Sequence, residues 1–174
     1  PWAKHPAKDE ALLKHTFLHV PRVGLVTERK LWEHGVLDWD RALTGIPSGL
    51  KGHYRQAIPT VIQESHHALS HEDARFFGEH LHAKHHWRLY PAFRHRVAFL
   101  DIETTGLSST GDHITTIALY DGREIHTFVH GQNLAEFPRL ISDYQLLVTY
   151  NGRCFDVPFI EAQFHGLRLD QPHI

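Results

Sequence analysis

Apolar positions change their period near residue 90. Before it they recur at helical spacing between glycines and prolines; after it they fall into short runs and alternations of strand type. The pattern predicts a helix over Thr27 to His34 ending at Gly35, and a short one over LDWDRAL capped by Asp38. GIPSGLKG is a loop. Helical spacing resumes over 54–69, with Pro59 predicting a kink or a late start. Ser70 is the predicted N-cap of a helix from His71 to about Trp87, with Asp73 at its third position. Downstream, RVAFLDIE reads as a buried strand, and HITTIALYDGREIHTFVH as two strands about an Asp121-Gly122 turn. Asn133 is placed to cap a helix reaching about Ser142, QLLVTYN is a strand, and FDVPFIEAQFHG is a helix ending at Gly166. This order joins a hairpin to a βαβ unit. It predicts an α/β domain with a mixed sheet over 91–174, behind a helical region over 1–90.

Composition narrows the class. A chain of 174 residues, 41% apolar and 22% charged, suits one globular domain with a helical preface. Nothing approaches the roughly 18 consecutive apolar residues of a membrane span, and no charged-then-apolar leader opens the sequence. No membrane partner is expected. The single cysteine, Cys154, cannot form an internal disulfide, so a reducing cytoplasm is the expected location. A net charge of −2 gives no broad basic field, which disfavours a non-specific grip on polyanions but suits an enzyme that holds a few nucleotides. The start at Pro1 and the lack of methionine lead us to expect a fragment or processed product. Oligomeric state is not legible.

The candidate chemistry lies at two strand ends. In VAFLDIETTGL, residues two apart share a face, so Asp101 and Glu103 project together at the end of an apolar, central strand. Paired carboxylates lose hydration and repel unless a cation neutralises them, and an all-oxygen donor set suits a hard ion such as Mg²⁺ or Mn²⁺. YNGRCFDVPF ends a second strand and sets Asn151 and Asp156 at a strand-to-helix junction. Taken singly, each residue has an ordinary role: a solvated acid, a turn asparagine, a helix cap. Taken together they lie where open α/β sheets place ligands.

FLDIETTGL followed by NGRCFDVPF resembles the first and second motifs of the DEDD superfamily of 3′–5′ exonucleases, of ribonuclease H-like fold. The closer resemblance is to its YprB-like branch of predicted exonucleases. The resemblance implies metal-dependent hydrolysis of phosphodiester bonds in DNA or RNA by a two-metal mechanism, acting on a single-stranded 3′ end. It implies that Asp101, Glu103 and Asp156 are the catalytic and metal-binding acids. It assigns Thr104, Gly106 and Leu107 to the terminal nucleotide, with Leu107 as a wedge against the last base, and sets Asn151 beside the substrate strand. Thr105 and Phe155 complete the candidate substrate-binding set, Phe155 as a wall of the site. The family's fourth acid, with a tyrosine or histidine base shortly before it, lies several dozen residues past the second motif. Asp170 and His173 in the closing segment are poor substitutes for them. The expectation is therefore a C-terminally incomplete exonuclease domain with reduced activity, the alternative being a non-catalytic nucleic-acid-binding module of the same fold.

Two further patterns stand apart. FLHVPRVGLVTERKLWEHGV, over 17–36, resembles a helix-hairpin-helix in which Arg22 replaces the first turn glycine and Gly24 remains. Arg22, Arg29 and Lys30 are its candidate phosphate contacts; the plainer reading is a packing element anchored by Leu31, Trp32 and Trp39. Of the 18 histidines, His67 and His71, and His82 and His86, have the four-residue spacing of zinc ligands on a helix face, though an exposed helix rich in histidine explains them as well.

Overall fold

The computed structural model describes residues 11–50 and 52–174. The first ten residues of the predicted helical region lie outside this range. The chain divides between Ala92 and Phe93 into two compact units.

In the first unit, α1 (Ala11–Lys14), α2 (Leu25–Glu33), α3 (Trp39–Leu43), α4 (Gly52–Ser70) and α5 (Ala74–His80) bury Leu13, Phe17, Leu31, Trp39, Ile58, Ile62 and Phe77. The turn before α2 places Arg22 at φ 67°, the left-handed conformation that glycine would adopt without strain. Asp38 caps α3 as predicted, accepting a hydrogen bond from the Arg41 amide at 2.7 Å. Pro59 lies inside α4 and does not delay its start. The helix starts at Gly52, and buried Ile58 and Ile62 on either side hold it through the missing donor.

The helix predicted from His71 to Trp87 does not form. Ser70 is the last residue of α4, and its hydroxyl donates back to the His67 carbonyl at 2.8 Å. Glu72 then turns the chain at φ 55°, and Asp73 is the cap, accepting from the Phe76 amide at 3.1 Å. A carboxylate close to free N–H groups is the stronger acceptor, and it starts the new helix three residues late. The chain is extended at Leu81, and Ala83–Leu89 is a 3₁₀ helix capped by His82. His82 and His86 therefore do not share an α-helical face. His86 is buried with Nε2 against the Gly78 and Leu81 carbonyls, at 3.2 and 3.1 Å. The rings of His67 and His71 do meet, 4.1 Å between centroids and tilted by 41°, but His71 Nδ1 faces the His67 carbonyl.

Two buried polar groups fix this unit. Glu28 accepts hydrogen bonds from the Phe17 amide and, through both oxygens, from Arg88. His19 lies beside Trp39 and Phe77, hydrogen-bonded to Ser65 at 2.8 Å, and burial pushes its pKa down to about 3.

The second unit carries the sheet. Its strands are β1 (Val97–Thr104), β2 (Ile114–Tyr120), β3 (Ile125–Val129) and β4 (Leu146–Thr149), in the order β3-β2-β1-β4. β1 pairs antiparallel with β2 and parallel with β4, and β2 pairs antiparallel with β3, so β1 is interior. Ala98, Leu100 and Ile102 of β1 join Ile117, Phe137, Ile141, Leu147 and Ile160 in the core. On the other edge of β4, the closing residues add a parallel bridge at Leu147↔His173. α6 (Phe137–Ile141) precedes β4, and α7 (Asp156–Gln163) follows it. Asn133 does not cap a helix: a 3₁₀ turn over Leu134–Glu136 intervenes before α6. The Asn133 side chain instead accepts from the Val129 amide and donates to the Thr127 carbonyl, occupying backbone groups of the edge strand.

Candidate active site

Asp101 and Glu103 are exposed and Ile102 is buried, as the strand period requires. The β1–β2 register shifts between Glu103 and Thr104, where Thr115 donates its hydroxyl to the Glu103 carbonyl at 3.0 Å. Such a bulge re-aims the end of a strand. The parallel register then brings β4 alongside. Its last pair with β1, Leu100↔Thr149, falls one residue before Asp101, and α7 begins with Asp156 seven residues further on.

Asp156 is the unusual member. It is only 3% exposed, and its Oδ2 has no hydrogen-bond partner. Burial first, and the charge of Asp101 second, push its pKa up to about 6. Burying an ionised carboxylate beside another without a partner is unfavourable. A cation between the two would relieve both penalties, and the all-oxygen donors suit Mg²⁺ or Mn²⁺. Glu103 shares the face of Asp101. Among the described residues, no group of three histidine, cysteine, aspartate or glutamate side chains is arranged to hold a metal ion, so the fit rests on the Asp101–Asp156 pair. An open groove of about 780 Å³ between β3 and α6, lined by His126, Phe128, Asn133 and Arg139, contains none of these acids.

The loop after β1 is built around a residue the sequence analysis did not single out. Asp112 accepts hydrogen bonds from the Ser108 amide at 3.0 Å and the Thr105 hydroxyl at 3.3 Å, while its own amide donates to the Ser108 carbonyl at 2.8 Å. Thr105 closes the ring, its amide donating to the His113 carbonyl and its hydroxyl accepting from the His113 amide. A Cβ at position 106 would collide with the Asp112 carboxylate, so a side chain there would force Asp112 to move. Thr104 donates its hydroxyl to the Gly106 carbonyl. Leu107 projects from the loop, 87% exposed.

The second motif folds as a tight turn. Asn151 adopts φ 58°, and its carbonyl accepts from the amides of Cys154 and Phe155. A side chain on Gly152 would collide with Thr149. Phe155 is half-buried and packs on the core, its ring 5.0 Å from that of Phe159. Asp170 is exposed, and His173 lies across from Leu147 in mid-strand rather than at the strand end.

The family model RNase_H_2, described as RNase_H superfamily, matches residues 98–174. Residues 98–174 form a ribonuclease H-like domain. The four-stranded mixed sheet agrees with that fold, and the likeness makes nucleic acid the class of partner to expect of the ribonuclease H-like domain. No curated protein matches the chain. The signal for Asp112 was present in SSTGD: an acid closing a small, polar loop between two strands.

Proposed function

We propose that the ribonuclease H-like domain hydrolyses phosphodiester bonds as a divalent-cation-dependent 3′–5′ exonuclease. The observation carrying this reading is the buried, unpartnered carboxylate of Asp156, at the start of the helix that follows β4, which feels the charge of Asp101 on the adjacent parallel strand β1. When bound, Mg²⁺ or Mn²⁺ supplies charge stabilisation at the phosphoryl group and makes an attacking water more acidic. Asp101 and Asp156 would hold the cation as ionised oxygen donors, with Glu103 on the same face of β1 as Asp101. The loop pinned by Asp112 keeps Leu107 outside the core, available to the base at a strand terminus.

The test is digestion of a 5′-labelled single-stranded oligonucleotide, as DNA and as RNA, in Mn²⁺. The expected result is stepwise shortening from the 3′ end, reduced roughly a hundredfold or more in Asp101→Asn and Asp156→Asn. Internal cuts would replace the exonuclease reading with an endonuclease. Binding without shortening would favour the non-catalytic nucleic-acid-binding module.

A further inference from the structure

Among the described residues Tyr150, 93% exposed, is the most exposed large apolar or aromatic side chain, and it has no hydrogen bond or ring contact there. Isolated surface aromatics are common, but the place of this one is fixed. The parallel register runs from Val97↔Leu146 to Leu100↔Thr149, and Asp101 and Tyr150 each follow directly on its last pair. The backbone is held on both sides. Thr149 donates its amide to the Ile174 carbonyl at 3.2 Å, and the left-handed turn at Asn151 is tied by the Cys154 and Phe155 amides. Gly152 packs against Thr149, and the Gly152 carbonyl accepts from the Val157 amide at 2.8 Å. Such a turn presents a rigid aromatic ring, with few torsions to freeze, at the same strand ends as the carboxylates. Arg153, also exposed, follows in the same turn.

We infer that Tyr150 is the stacking platform for a nucleobase at or next to the 3′ terminus, a substrate-positioning contact of the site rather than part of its catalytic machinery. The inference rests on the exonuclease reading above. Stacking on an aromatic ring tolerates every base, since each has a π-face, and is worth about 1–3 kcal/mol per base. The exposed Leu107, from the loop after β1, supplies a second apolar surface on the adjacent strand's side.

The test is titration of this chain into a short oligothymidylate carrying 2-aminopurine at its 3′ end, in Ca²⁺, followed by fluorescence. We expect quenching on binding to the wild type and to Tyr150→Phe. In Tyr150→Ala we expect the quenching to be lost and affinity to fall roughly tenfold. Melting of Tyr150→Ala should match the wild type, because the side chain is outside the core. Equal affinity and quenching in Tyr150→Ala would overturn the platform and leave the exonuclease reading standing. Failure of the wild type to bind the oligonucleotide at all would overturn both.

Discussion

At Asp156 folding buries a carboxyl beside a second acid, and both effects favour its protonated form. The ordinary value of 3.8 rises to about 6, so between these two values the folded domain binds more protons than the unfolded chain. Stability therefore falls as pH rises through that window and remains reduced above it. Asp156→Asn removes the ionisation and should stabilise the domain near pH 7.5 by on the order of 1–3 kcal/mol while flattening the dependence between about pH 4 and pH 6. Amide hydrogen exchange of β1 and β4 is the measurement, since all four tryptophans lie at or before Trp87 and report the other unit. A variant whose pH profile parallels the wild type would contradict the buried, coupled placement. At this scale, Asp101 and Glu103 were legible because strand periodicity alone dictates their shared face. The burial of Asp156 was not, because it depends on how α7 seats against a sheet brought together from distant segments.

The loop from Thr105 to His113 shows what local pattern conveys and what it omits. That a glycine follows the acids was visible in the sequence, where the family resemblance assigns it to the terminal nucleotide. The structure supplies a different reason: the Asp112 carboxylate occupies the space of a side chain at position 106. Gly106→Ala should displace Asp112, destabilise the domain by roughly 1–3 kcal/mol as overpacked substitutions do, and speed exchange of the Ser108 amide. An unchanged Ser108 amide in that variant would show that the loop is not built on Asp112. The helices of the first unit teach the same lesson. Asp38 was readable as a cap because it directly precedes its helix. Asp73 was hidden because Ser70 offered an earlier candidate, and only the left-handed turn at Glu72 decided between them.

For the whole molecule, the change of period near residue 90 anticipated a helical region and a mixed sheet, because each follows from the local spacing of apolar residues. Strand order was also within reach: a tight hairpin forces antiparallel neighbours, and a helical crossover gives a parallel one. The β3-β2-β1-β4 sheet, with two acid-bearing motifs at the ends of β1 and β4, is the arrangement on which the functional reading depends. What holds that reading together is a cation bound between Asp101 and Asp156. Calorimetric titration of Mn²⁺ near pH 7.5 into the wild type and into Asp101→Asn tests it directly. The account predicts saturable binding to the wild type that collapses in the variant. Equal binding to both proteins would place the ions elsewhere, on the histidines, and would contradict the central claim.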